Sequence, residues 1–302
     1  MTAPKIGVML PTMTERGGEL TDVGRAARHA EDLGLESVWA VDQLVAGSGV
    51  PLLESTVALT AAAATTSRIR LGYGVLVLPL RPAVWTAKQV ASLQHVSGDR
   101  VLLGIGVGGD RHALSWEAAG VSRRERGRRT DDALAVLPDL IAGRPSRVAG
   151  ATVQLAPGVP VPPIIVGGLS PAALARAATY GDGWFALPVP DELLAATVGR
   201  LAELAAARGR PTPEVTSSVL AALDGDPARP DRAGLTRRLT DPNGMFGMPG
   251  EAVDTVVVGG PDSLSDRIGA VHVAGADRVI VSVAGGDWFR QTELVATAAA
   301  LL

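Results

Sequence analysis

The sequence predicts a (β/α)8 barrel, also called a TIM barrel, and three observations carry the prediction. Short β-branched runs alternate with helix-period segments eight times along the 302 residues. The length of 302 residues and 47% hydrophobic side chains suit a large core, so one domain is expected over residues 1–302, and no internal repeat is found. Glycine-containing loops follow several of the strands, at the end where a barrel places its chemistry. A doubly wound sheet is the alternative. Its dinucleotide fingerprint needs a glycine-rich turn running directly into a helix, with an acid about 20 residues further on.

Taken in order, Lys5 to Leu10 reads as the first strand, and Thr21-Asp22 caps a helix with Val23, Ala26, Ala27, Ala30 and Leu33 on one face. Gly34 ends it. Ser37 to Val41 is the second strand, closing at Asp42-Gln43, and a second helix covers about 55–66. Ile69 to Val77 is the third strand. Pro82 opens a helix to about Val96, Gly98-Asp99 turns the chain, and Arg100 to Ile105 leads into the loop Gly106 to His112. No immediate helix is expected over 110–123, so Gly104-Ile105-Gly106-Val107-Gly108 reads as a barrel loop.

Arg123 to Ala142 reads as a long charged helix whose arginines grip an anion or, as is usual for a helix of mixed charge, face solvent. The Pro/Gly-rich stretch 147–162 predicts a small hairpin insertion. The alternation resumes with strand Ile164–Val166, helix Pro171–Tyr180, strand Trp184–Leu187, helix Asp191–Arg208 and strand Val215–Ala222. Ala228 to Gly250 is less regular, with Asp241 to Gly250 a mobile flap. Helix Ser263–Ala274, strand Arg278–Val283 and a closing helix Asp287–Leu302 complete the count.

The most informative stretch is Pro163 to Pro171. A strand stops at Gly167-Gly168, Ser170 stands at the N-cap and Pro171 at the first helical position. First-turn amides lack intrahelical partners and the helix dipole is positive there, so a phosphate can bind without Lys or Arg. The plain alternative is an ordinary βα turn. Among residues at strand carboxyl ends, Asp42, Gln43, Asp110, Arg111 and His112 are the polar candidates. His112 reads as a site acid or base, or as a solvated loop residue. Asp42 reads as a catalytic or a turn carboxylate, while His29, His95 and His272 fall in helices and read as structural.

Other classes lose ground. The chain has no Cys, which excludes disulfides, thiol nucleophiles and cysteine-held metals. No His pair at i,i+4 and no Gly-x-Ser-x-Gly occurs, and Lys5 and Lys88, the only lysines, are poorly placed for a Schiff base. A net charge of −3 and 47% hydrophobic residues argue against disorder and nucleic-acid binding. No signal segment or run of about 18 apolar residues is found, so a cytoplasmic protein without membrane attachment is expected.

Four stretches, Ala26–Asp42, Arg68–Pro79, Leu93–Gly109 and Pro162–Trp184, together resemble the bacterial-luciferase-like oxidoreductases that depend on FMN or coenzyme F420. The resemblance implies a barrel with the tricyclic ring of either cofactor over its mouth. It implies phosphate contacts at Gly167, Gly168, Leu169 and Ser170, further cofactor contacts at Gly106, Gly108 and Trp184, and a non-prolyl cis peptide at Gly74–Val75. A β-bulge at Gly74 is the alternative for the last feature. Met245, Phe246 and Met248 of the flap would then cover the ring. A separate reductase supplying reduced cofactor, a small organic substrate and a homodimer are also implied.

The sequence departs from the family's alcohol and sugar-phosphate dehydrogenases. They carry Asp-His where this chain has Asp42-Gln43, and a Glu where Gly109-Asp110 stands. Gln cannot accept a proton at neutral pH, which leaves Asp110 and His112 as replacement candidates. Monooxygenation with reduced FMN and hydride transfer with F420 both stay open. So do a non-catalytic flavin carrier and a barrel hydrolase or isomerase using Asp42 and His112 on a phosphorylated substrate.

Overall fold

The computed structural model describes residues 3–47, 49–109, 113–242 and 244–302, with backbone alone at 251 and 252. From the amino end, β1 (Lys5–Met9), α1 (Val23–Asp32), β2 (Ser37–Ala40), α2 (Ser55–Thr65), β3 (Arg70–Tyr73), β4 (Leu76–Val77), α3 (Ala83–Ser97) and β5 (Val101–Gly106) follow in order. The middle holds α4 (Ala113–Ala118), α5 (Arg126–Ile141), β6 (Ser146–Val148), β7 (Ala151–Val153), β8 (Ile164–Gly167), α6 (Pro171–Tyr180), β9 (Gly183–Phe185) and α7 (Asp191–Ala206). β10 (Glu214–Leu223), α8 (Arg232–Thr240), β11 (Val257–Gly259), α9 (Pro261–Val273), β12 (Arg278–Val283) and α10 (Trp288–Ala299) complete it.

Parallel pairing runs from β1 through β2 and β3 to β5, with β4 extending the third strand, then through β8, β9, β10 and β12 back to β1. The ladder closes, so this is a (β/α)8 barrel. All carboxyl ends therefore point to one face. β6 and β7 form the expected antiparallel hairpin outside the barrel.

Three local differences from the sequence expectation stand out. The third strand breaks at Gly74–Val75, where the peptide bond is cis. A short helix, α4, follows the strand-four loop where none was expected, because six residues are too few to show a period. α8 occupies part of the stretch read as irregular, and the three-residue β11 lies between that stretch and the helix that follows it, where no element was expected. In α8 only Leu235 and Leu239 are buried, one apolar contact per turn on an otherwise Arg-rich segment, and Asp231 caps it by accepting from the Gly234 amide at 2.7 Å.

One side chain from β2 fills much of the barrel interior. Trp39 is fully buried with Leu102, Ile165, Phe185 and Ile280, and its ring meets that of Phe185 edge-on at 5.7 Å between centroids. Its indole N–H donates to Ser37 Oγ at 2.8 Å. The flanking strands make room: a Cβ at Gly72 would lie 2.2 Å from the indole ring, and one at Gly7 would lie 3.0 Å from its nitrogen. At the amino end of the barrel, Arg278 is 3% exposed and bonds both oxygens of Glu36, at 3.0 and 2.9 Å, while pairing with Glu214.

A second buried carboxylate ties a connection in place. Glu31, near the end of α1, accepts from the amides of Ser67, Arg68 and Ile69, the shortest at 2.6 Å, and so fixes the approach to β3. Burial pushes its carboxyl up, but the three amides outweigh that and bring it down to about 2.

Two stability effects are expected. Gly72→Ala forces the added methyl against the indole and lowers stability in urea by about 2 kcal/mol. Glu31→Gln loses about 2 kcal/mol at pH 7. The folded-state pKa of Glu31 lies below the unfolded value, so its contribution is full above about pH 4.5 and disappears as pH falls toward 2. The wild-type advantage over Glu31→Gln, followed by urea titration at each pH, narrows across that window.

Candidate active site

The turn after β8 is built to present amides. Gly168 has φ +117°, a conformation L side chains rarely adopt, and a Cβ there would stand 3.1 Å from Ala173 Cβ. Ser170 is the N-cap of α6, accepting from the Ala173 amide at 3.2 Å, and Pro171 opens the helix as expected. Trp184 Nε1 donates to the Gly168 carbonyl at 2.8 Å, and the Gly168 amide donates to the Phe185 carbonyl at 3.3 Å. Among the described residues, the amides of Leu169, Ser170 and Ala172 meet no protein acceptor.

This redistributes the expected phosphate contacts. Gly167 closes β8 and the Gly168 amide already serves β9, so these glycines shape the turn while Leu169, Ser170 and Ala172 hold the open donors. Ala172 was missed in the sequence, although it occupies the second helical position, where an unpaired amide is the rule. Trp184 is fully buried between sheet and helices, alternating with the inward-facing Phe185. It braces the turn from behind, on the helical side of the sheet.

Beside this turn, the cis bond turns Val75 across the glycines of β5. A Cβ on Gly104 or Gly106 would come within 3.1 or 2.6 Å of a Val75 methyl, and one on Gly167 within 3.5 Å. Three glycines on two adjacent strands thus leave the space that Val75 fills. Gly106 lies beneath that side chain, and Gly108, in the loop beyond, has φ +70°.

Asp42 is held as a structural carboxylate, the second of the two roles its position suggested. It is 5% exposed, and both oxygens are engaged: Oδ1 accepts from Ser55 Oγ at 2.9 Å and Arg81 Nη2 at 2.7 Å, Oδ2 from the Val77 amide at 2.8 Å and Arg81 Nη1 at 2.7 Å. It joins the end of β2 to β4, α2 and Arg81. Burial lowers the affinity of the Arg81 guanidinium for its proton, but bonding to Asp42 outweighs this and raises it. Arg81 was overlooked in the sequence; its only signal is a lone cation just after a strand end. With four donors around it, Asp42 has no acceptor position left for a substrate proton.

Gln43, the next residue, lines a cavity of about 980 Å³ that opens on the mouth between β10, β12, β1 and β2. Met9, Val41, Leu220 and Trp288 make its walls, with the hydroxyls of Ser218 and Ser282 among them. Met245, Phe246 and Met248 of the expected flap line it from above. Phe246 and Met248 pack with Leu235 and Leu239 of α8, and the Met248 amide donates to the Leu239 carbonyl at 2.7 Å. The phosphate-type turn sits across the mouth, on β8. Asp110, Arg111 and His112 lie outside the described residues.

The family model described as luciferase-like monooxygenase matches residues 2–278. The chain belongs to the luciferase-like monooxygenase family. An uncharacterised protein of Mycobacterium tuberculosis is 39% identical over 165 residues, which is 51% of this chain and 56% of that relative, so the match spans little more than half of its length. Two solved luciferase-like barrels share the fold. An F420-dependent secondary alcohol dehydrogenase in complex with an F420-acetone adduct is superposable with a TM-score of 0.79 at 16% identity, covering 99% of both chains. The oxygenating constituent of 3,6-diketocamphane monooxygenase from Pseudomonas putida, a type II Baeyer-Villiger enzyme in complex with FMN, gives 0.75 at 16% identity over 99% of both chains.

The different duties of Asp42 and Gln43 are testable by stability alone. Arg81→Met leaves a buried carboxylate without its cation and costs about 3 kcal/mol in urea unfolding. Gln43→Ala stays within about 0.5 kcal/mol of wild type.

Proposed function

We propose that this luciferase-like barrel is an oxidoreductase that binds FMN or coenzyme F420 and acts on a small organic substrate, by monooxygenation or by hydride transfer. One observation carries the reading. An anion-accepting turn and an apolar cavity occupy opposite halves of one barrel mouth, with the Val75 bulge and the bare glycines of β5 between them. The open amides of Leu169, Ser170 and Ala172 suit the phosphate that both cofactors carry, and the positive end of α6 favours the charge. Val75 would support the ring from below.

When bound, the reduced cofactor supplies a hydride equivalent or, as a flavin, the electrons that activate O2. The protein's own contribution is orientation and exclusion of water. Met245, Phe246 and Met248 cover the cavity with apolar groups. Gln43 can hold a substrate oxygen through its amide, but it neither gives nor takes a proton. Proton transfer is assigned to His112 or Asp110, which follow β5 in the sequence, and Asp42 to positioning. Reduced cofactor would come from a separate reductase in the cytoplasm. Two copies of the chain would pair as a homodimer.

The reading is tested by fluorescence titration of the protein with FMN and with F420, repeated on Ser170→Asp. Asp caps a helix as well as Ser does, so the fold is retained while a negative charge enters the turn. The wild type is expected to take up at least one cofactor, and Ser170→Asp to lose tenfold or more in affinity at an unchanged melting temperature. Failure to bind either, or equal binding by the variant, contradicts the reading. Substrate oxidation under air but not under nitrogen marks the FMN reaction, whereas binding without any substrate turnover marks a carrier.

A further inference from the structure

The inner face of a barrel of this kind is ordinarily filled by bulky branched side chains, and two neighbouring strands depart from that here. Ser218 of β10 is level with Ile280 of β12, and Ser282 of β12 is level with Leu220 of β10. Side chains alternate along a strand, and Ile280 packs in the interior with Trp39. Ser218, Leu220 and Ser282 therefore face inward as well. The two hydroxyls stand one layer apart, Ser218 beside the Trp39 cluster and Ser282 nearer the mouth.

Both serines line the cavity and are partly accessible within it. Neither hydroxyl bonds to another described residue. Met9, Leu220 and Trp288 line the same cavity, and the Trp288 indole N–H is already given to the Met9 carbonyl at 2.9 Å. A ligand that fills the cavity keeps water from the two hydroxyls. It must meet them with polar atoms of its own or leave them unsatisfied, which is costly.

Charge on the cavity wall is already answered. Arg238 pairs with Glu15, Asp254 with Arg232 and Arg267 with Asp191, and Asp287 caps α10 by accepting from the Arg290 amide. A ligand carboxylate or ammonium finds no free counter-charge among the described lining residues, and desolvating it there is costly.

We propose that Ser218 and Ser282 are specificity-determining contacts that select an uncharged substrate carrying two oxygen functions set apart on one framework. Diagonal neighbours on adjacent strands stand about 7–8 Å apart, a span that two ligand oxygens bridge more readily than one. That the ligand is a substrate rests on the oxidoreductase reading; its recognition by the two hydroxyls is tested without it.

Calorimetry on the purified full chain, without cofactor, compares 1-tetralone, 4-hydroxy-1-tetralone and tetralin-1-carboxylate, which are similar in size. A hydroxyl added to a ligand weakens binding in an apolar cavity unless the protein meets it, so the sign of the change is diagnostic. The hydroxyketone is expected to bind about tenfold more tightly than 1-tetralone, and the carboxylate at least about tenfold more weakly than the hydroxyketone. Ser218→Ala and Ser282→Ala should each weaken the hydroxyketone about threefold to tenfold. The double variant should bind the two ketones alike, with melting temperature and cofactor affinity unchanged. Equal binding of the two ketones by wild type, a carboxylate that binds as tightly as the hydroxyketone, an advantage that survives in the folded double variant, or no binding of any of the three overturns the assignment. A preference that depends on both serines, in a chain that takes up neither cofactor, would instead sink the oxidoreductase reading and leave the hydroxyl pair standing. Cofactor uptake without the preference does the reverse.

Discussion

A helix that starts at a barrel mouth cannot bond its own first amides, and the rest of this site depends on that shortage. α6 begins immediately after β8, with only Gly168, Leu169 and Ser170 between them, so its positive end is delivered to the carboxyl face of the barrel. Ser170 answers one amide, that of Ala173, and β9 answers that of Gly168. What remains is a small set of donors in fixed positions, with Trp184 holding the turn rigid through the Gly168 carbonyl. Rigid donors need little reorganisation to receive an anion, which is why no lysine is required.

The other half of the mouth is organised by volume. Trp39 occupies the interior below it, and glycines on the flanking strands accept that bulk. Above, the Gly74–Val75 bond lifts Val75 over Gly104 and Gly106, while Asp42 and Arg81 lock the ends of β2 and β4 together. A polar brace, an apolar floor and an apolar cavity therefore lie side by side.

Much of this was legible in the sequence because it is local. Ser170-Pro171 and Gly181 punctuate α6, and the helix runs from Pro171 to Tyr180 as expected. The eight strands follow from their β-branched runs, and the cis bond falls at the position the family resemblance implied. The rest depends on partners distant along the chain. Asp42 lies at the expected strand end, yet its role is set by Arg81, 39 residues on, and by Ser55. Trp184 stands near the turn as expected, but strand alternation turns it outward into the helical layer. α8 and β11 escaped notice because each is short and offers too few apolar positions for a period.

The most direct measurement of the central claim is amide NMR of 15N-labelled protein during titration with FMN and, separately, with F420. The account predicts that the Leu169, Ser170 and Ala172 resonances move downfield and lead the response as one of the two cofactors is added, because those amides gain an anionic acceptor. Saturable binding that shifts resonances elsewhere on the barrel while these three stay fixed would contradict it.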